Sequence, residues 1–253
     1  MNRKYRKTVI AGNWKMYKTA SETRAFLDTL KHALPRTKRC GVVLCVPFVS
    51  IPAAGKLLKD SRVVVGAQNL HWERNGPFTG EISADMLADL DVKYVIVGHS
   101  ERRVLFGETD QLVHLKLRSA LDAGLRPILC LGEGPAQREL NAVPEYLSYQ
   151  LTASLSGVSP EEMRRIVLVY ESAGTDAPIP EEVGQICAGI RAVVRKLYDA
   201  RIARSTSILY GGPMDEWNAE ALLAQEDVDG GLIGDASLSP ERFLRIISIA
   251  NQN

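Results

Sequence analysis

Short, continuous runs of aliphatic and β-branched residues recur along the whole chain, and their number constrains the fold more than any other feature. They occupy residues 8–12, 42–46, 63–67, 94–97, 128–131, 166–169, 208–210 and 231–233, eight runs in all. The runs are continuous rather than alternating apolar with polar residues, so they suit parallel strands buried on both faces better than half-exposed antiparallel ones. Helix start signals lie between them: Thr19 three residues before Glu22, Ser159 before Pro160 and Ser239 before Pro240. Ile186, Ile190, Val193, Val194 and Leu197 fall on one face at helical spacing. Eight strand-then-helix units in 253 residues, with no Gly/Ser linker, predict a single domain over 1–253 and an α/β fold, a (β/α)8 barrel. A doubly wound open sheet is the competing arrangement.

Charge narrows the class of partner. Lys and Arg total 31 against 30 Asp and Glu, so a net charge of +1 provides no electrostatic footprint for nucleic acid. The first apolar run stops at Asn13, and nothing later approaches the roughly 20 apolar residues of a membrane span. A cytoplasmic protein with no membrane partner is expected. Cys40, Cys45, Cys130 and Cys187 form no CxxC pair, and His32, His71, His99 and His114 show no metal-ligand spacing, so no metal site is expected. Cys130, Glu133, Trp72 and Trp217 read as structural: a packed thiol, a partner at the barrel rim and two packing indoles.

In such a barrel the chemistry sits just beyond the strand ends. The polar residues there are Asn13 and Lys15, Gln68 and Asn69, His99, Ser100 and Glu101, Glu133, and Glu171, followed by Gly211 and Gly212 and then Gly234 and Asp235. A carboxylate, an imidazole and an ammonium at one mouth suit proton transfer next to a carbonyl: Glu171 removes the proton, His99 polarises the oxygen and Lys15 offsets the developing charge. Position alone leaves a bland alternative open, in which these are rim charges and a barrel-end histidine.

Longer strings carry more weight. Residues 11–16 read Ala-Gly-Asn-Trp-Lys-Met, 66–69 Gly-Ala-Gln-Asn, 97–103 Val-Gly-His-Ser-Glu-Arg-Arg, 129–133 Leu-Cys-Leu-Gly-Glu, and 169–171 Val-Tyr-Glu. With Tyr210-Gly211-Gly212 and Ala236-Ser237-Leu238, this order resembles the triosephosphate isomerase family from residue 8 to about residue 250. The resemblance implies a TIM barrel and a cofactor-free aldose–ketose isomerase that interconverts dihydroxyacetone phosphate and glyceraldehyde 3-phosphate through an enediol, in glycolysis and gluconeogenesis. It assigns Glu171 as base, His99 as electrophile, Lys15 as cationic stabiliser with Asn13 beside it, and Glu101 as support for Lys15. That the histidine works neutral at a helix N-terminus is a known trait of this family rather than a deduction from this chain. Gly174, Gly211, Gly212 and Gly234, with Asn13 and Lys15, become the expected substrate-binding residues. The segment 71–80 resembles the family's protruding third loop and implies a homodimer.

Three departures fall on the phosphate side. After Glu171 the chain reads Ser172-Ala173-Gly174-Thr175-Asp176-Ala177, several residues shorter than the family's lid and without its Pro-Val-Trp hinge. A lid that seals less well is expected to release more methylglyoxal from the enediol phosphate. The family's Tyr-Gly-Gly-Ser ends in Pro213, which has no N–H to present. Its paired glycines after the eighth strand read Gly234-Asp235, which either places a carboxylate in an anion site or lets Asp235 cap a short helix. Expected activity is accordingly reduced. Two further functions stay open: isomerisation of a small hydroxy-carbonyl sugar lacking phosphate, and a catalytically idle dimeric scaffold.

Overall fold

The computed structural model describes residues 5–172 and 177–252. Its strands are β1 (Thr8–Asn13), β2 (Cys40–Val46), β3 (Val63–Ala67), β4 (Tyr94–Val97), β5 (Arg126–Leu131), β6 (Val167–Tyr170), β7 (Ile208–Tyr210) and β8 (Gly230–Ile233). They pair parallel in chain order, and β8 returns to β1 with Ile10 opposite Gly231 and Ala11 opposite Leu232. The sheet is therefore closed, and the open doubly wound alternative does not hold. Every expected run is a strand.

Buried residues pack in two layers, as a barrel requires when successive side chains point to opposite faces. Val9, Ala11, Val43, Cys45, Ile96, Cys130, Val169, Leu209 and Leu232 fill the interior. Ile10, Leu44, Val97, Leu129, Leu168 and Ile208 face outward against the helices. Each such aliphatic side chain contributes about 1.5 to 3 kcal/mol by leaving water. Thr19, Ser159 and Ser239 each accept a backbone N–H at the start of the helices Ala20–Ala33, Pro160–Met163 and Pro240–Ala250. The helix Pro180–Leu197 buries Val183, Cys187, Ile190 and Val194, with Ile186 and Val193 at the edges of that stripe.

The inward alternation positions the site. Two residues beyond the last interior side chain of β1, β5, β6, β7 and β8 come Asn13, Gly132, Glu171, Gly211 and Gly234. Carboxylate and amide thus enter the mouth at two of these positions and glycine opens room at the other three. One sequence expectation fails here. Trp217 is not a packing residue: it is 78% exposed on the loop before the helix Ala219–Ala224, with the Arg245 guanidinium 5.7 Å from its ring centre. Trp72 does pack, stacked on His71 at 4.0 Å. Among the described residues no helix is long and apolar enough to cross a membrane.

Candidate active site

Lys15 sits in a backbone conformation that L-residues avoid, at φ +52°. This left-handed geometry costs on the order of 1 kcal/mol, and two side chains hold it in place. Asn13 Oδ1 accepts the Lys15 N–H at 3.1 Å, and Gln68 Nε2 donates to the Lys15 carbonyl at 2.9 Å and to that of Cys45 at 3.1 Å. The ammonium then meets Glu101 Oε1 at 2.7 Å. Burial pulls the Lys15 pKa down, but the hydrogen bond and charge of Glu101, with Asp235 and Glu171 adding to them, outweigh burial and hold it above the usual lysine value.

His99 and Glu171 form the buried half of the site, 8% and 5% exposed. His99 precedes the helix Ser100–Leu105 and its Nδ1 accepts the Glu101 N–H at 3.3 Å. A ring nitrogen that accepts carries no proton, so the neutral ring has its hydrogen on Nε2, which points at Glu171 Oε1 at 2.9 Å. Glu171 Oε2 also accepts the Ser100 N–H at 2.8 Å, and Oε1 the Ser100 hydroxyl at 3.3 Å. Burial lowers the His99 pKa, yet the hydrogen bond and charge of Glu171, reinforced by Glu101, prevail and raise it. That outcome belongs to the state with Glu171 against the ring. Without Glu171 against the ring, burial and the Lys15 charge favour the neutral form, with Glu101 alone opposing them.

Glycine makes this carboxylate possible. A Cβ at Gly132 would collide with the Glu171 carbonyl oxygen, and one at Gly211 would stand 2.9 Å from Glu171 Cγ. Gly211 donates its N–H to the Tyr170 carbonyl at 2.7 Å, and its missing side chain gives the Glu171 carboxylate room. Gly212 lies over the Tyr210 ring, where any Cβ would overlap the hydroxyl, and that hydroxyl bonds Ser172 Oγ at 3.0 Å. Pro213 follows and accepts from Asn218 Nδ2 at 3.1 Å through its carbonyl. Gly174 lies outside the described residues.

Asp235 does not cap a helix. Gly234 holds the cap position of the single 3-10 turn Asp235–Leu238, and Asp235 is its exposed first residue. A Cβ on Gly234 would lie 3.9 Å from Lys15 Nζ, and the Asp235 carboxylate adds to the fields on both Lys15 and Arg242. Its charge is felt in the mouth.

Several participants were not assigned roles from sequence. Ser100 tethers Glu171, and Gln68 fixes the Lys15 peptide; both stood at strand ends, where position named them but not their partners. Glu133 accepts from Arg138 Nε at 2.7 Å and from the Tyr170 hydroxyl at 3.0 Å, which is a rim contact of the expected kind. Cys130 is fully buried beside Glu171; burial raises its thiol pKa well above the ordinary value and the Glu171 charge adds to that. Asn69 Oδ1 accepts from the buried Lys116 ammonium at 2.7 Å and faces away from the mouth's chemistry. Among the described residues no cluster of His, Cys, Asp and Glu is arranged to hold a metal.

A closed parallel barrel that brings a carboxylate, an Nε2–H imidazole and an ammonium together at the carboxyl ends of its strands defines a barrel enzyme of the proton-transfer class. A family model described as triosephosphate isomerase matches residues 8–250. A triosephosphate isomerase from Alkaliphilus metalliredigens is 42% identical over 247 residues, 96% of this chain and 99% of the relative. One from Chloroflexus aurantiacus is 44% identical over 243 residues, 94% and 97% of the two chains. The crystal structure of triosephosphate isomerase from Bartonella henselae superposes with a TM-score of 0.88 at 34% identity, covering 96% of this chain and 98% of that one. The chain belongs to the triosephosphate isomerase family.

Proposed function

We propose that the protein interconverts dihydroxyacetone phosphate and glyceraldehyde 3-phosphate as a single-domain, cytoplasmic enzyme with no cofactor. The observation that carries the reading is the arrangement of Glu171, His99 and Lys15 around one space, each fixed by a named partner. Glu171 leaves Ser100 and takes the proton from the carbon beside the carbonyl. His99 Nε2–H donates toward the carbonyl oxygen while Lys15 offsets its growing negative charge. The resulting enediol takes the proton back from Glu171 on the neighbouring carbon while the other hydroxyl gives its proton to His99 Nε2, replacing the one passed to the former carbonyl oxygen, so both groups return to their starting forms. Glu101 positions Lys15, and Asn13 holds the peptide that presents it.

The phosphate end is weaker than the family pattern. The first N–H groups of the turn Asp235–Leu238 have no partner within the turn and are available to an anion, with Gly212 and Gly234 beside them. Pro213 supplies no donor, and a lost hydrogen bond to a charged group costs about 1.5 to 3 kcal/mol. Asp235 adds a negative charge to a mouth that already holds Glu101 and Glu171 against Lys15. The reading therefore includes a raised KM for phosphorylated triose.

A homodimer is part of the same reading. Met16, Tyr17, Val49, Phe78, Met86, Val104, Leu105 and Phe106 are exposed although apolar, and all follow the ends of the adjoining strands β1 to β4. A patch of this kind marks an interaction surface. The loop 71–80 within it is self-supporting: His71 stacks on Trp72, lies 4.4 Å from Phe78, and donates its N–H to the Ile82 carbonyl.

The deciding experiment is the initial rate of glyceraldehyde 3-phosphate isomerisation in a coupled assay, with Glu171→Gln purified in parallel. The expected result is a rate that falls at least 100-fold in the variant, within the range of a lost general base. Equal rates in both preparations would attribute the activity to a contaminant and overturn the reading.

A further inference from the structure

The chain's arginines divide into two populations. Arg6, Arg102, Arg103, Arg138, Arg191 and Arg242 each lie against a carboxylate. Arg164, Arg201 and Arg204 form no ion pair among the described residues, and all three line one cavity of about 410 Å3 together with Tyr5 and Ser205. Tyr5 precedes β1, Arg164 precedes β6, and Arg201, Arg204 and Ser205 belong to the helix Ala200–Ser205 before β7. The cavity thus opens at the amino ends of the strands, the opposite end of the barrel from Lys15, His99 and Glu171.

Its chemistry is one-sided. Arg201 and Arg204 are three residues apart on one helix and so project from the same face, while Arg164 reaches in from the C-terminal end of the helix Pro160–Met163. Among the described residues no carboxylate lines the cavity. The nearest acids in sequence are engaged elsewhere: Asp199 Oδ1 accepts the Ile202 N–H at 2.7 Å as a cap, and Glu162 Oε1 accepts from Arg118 at 2.9 Å. Among the described residues Arg204 donates only through Nε, to the Ala200 carbonyl of its own helix, and its terminal nitrogens make no hydrogen bond. A second hollow of about 370 Å3 adjoins through Arg204 and adds Arg195, which likewise has no ion pair among the described residues. What sets Arg164, Arg201 and Arg204 apart is that they surround one hollow in a protein whose net charge is only +1, and guanidinium forks match phosphate oxygens two at a time. The volume lies in the range of small-molecule sites.

We propose that this cavity binds a polyphosphate chain of two or three phosphates, separately from the catalytic mouth. Three arginines around one hollow, with Arg195 lining the hollow that adjoins it through Arg204, suit several linked phosphates better than a single one. Such a chain is presented by a nucleoside triphosphate or by inorganic polyphosphate, and the Tyr5 ring on the wall is the feature that would tell them apart.

The test is calorimetric titration with tripolyphosphate and with inorganic phosphate, at low salt and again at physiological ionic strength. Tripolyphosphate is expected to bind at least tenfold more tightly than phosphate, and the Arg201→Ala/Arg204→Ala double variant to lose at least tenfold of that affinity with an unchanged circular-dichroism melt. Arg164→Ala, on the other wall, should move affinity in the same direction. A matching loss in an Arg36→Ala/Arg39→Ala control would reduce the effect to general charge attraction and overturn the site. So would binding that survives the Arg201/Arg204 variant and disappears in Lys15→Met, because the anion would then occupy the catalytic mouth. ATP binding more tightly than tripolyphosphate, with the excess lost in Tyr5→Ala, supports the site with a nucleotide as its source; equal affinities support it with the phosphate chain alone as the recognised group.

Discussion

The two sides of the barrel mouth are built on different principles. On the β1, β4 and β6 side the working groups are side chains, and each is held by at least one other residue: Lys15 by Asn13, Gln68 and Glu101, and Glu171 by Ser100 and His99. On the β7 and β8 side the expected contacts are backbone N–H groups at Gly212, Gly234 and the turn that follows, so the side chains there carry no comparable support. A change of one residue on the first side would leave a buried charge without its partner, whereas proline or aspartate enters the second side with the barrel intact. The contrast teaches why departures from the family pattern accumulate where the grip is made by backbone: the fold tolerates them and substrate affinity absorbs the cost.

The largest way to break this contrast is to remove a supported group. Lys15→Met takes an ammonium from the mouth and strands Glu101, its ion-pair partner at 2.7 Å. Removing one preorganised donor for a developing oxyanion costs about 100- to 1000-fold in turnover. Steady-state kinetics should show that loss mainly in kcat, with a KM increase beside it. A variant that loses KM alone would place Lys15 in ground-state binding and dissolve the distinction between the two sides.

A smaller effect is expected from repairing the other side. Two unit charges about 4 Å apart repel by about 4 kcal/mol at an effective dielectric of 20, but Asp235 is exposed and solvent screening reduces this strongly. Asp235→Gly should therefore lower KM for glyceraldehyde 3-phosphate by about tenfold, equivalent to about 1.4 kcal/mol, with little change in kcat. Pro213→Ser restores a donor and should act in the same direction. If both variants leave KM unchanged, the phosphate sits elsewhere and the weakened grip is not real.

What the sequence made legible follows the same division. The strands were readable because burial on both faces demands continuous apolar runs; Lys15, His99 and Glu171 stood at strand ends, but only the longer strings around them singled them out from rim charges. That the Gly211 N–H is committed to the Tyr170 carbonyl could not be read from a string of letters. Asp235 could be read as a cap or as an intruding charge, since both use the same residue at a helix start and only the backbone position of Gly234 separates them. Trp217 was misplaced because an indole usually signals packing, whereas this one is held on the surface by Arg245. The Arg164, Arg201 and Arg204 cavity joins segments far apart in the chain, which no local pattern announces.

The subtlest expectation concerns His99, whose two neighbours compete across the mouth. Beside Glu171 its pKa is raised, so in the ligand-free protein an NMR titration should place it above 6.5. A histidine whose folded pKa exceeds its unfolded one stabilises the fold in full below the unfolded value, and that contribution fades as pH rises through the folded pKa. Thermal stability of the wild-type protein should thus lose a small increment on passing from pH 6 toward pH 8, and Glu171→Gln should lose less of it, because the carboxylate that holds the ring charged is gone. In that variant burial and Lys15 act with only Glu101 opposed, so the His99 pKa should fall relative to wild type. A His99 titration that is identical in the two proteins would mean that the ring does not sense the carboxylate 2.9 Å away, and Glu171 would then be held by Ser100 alone.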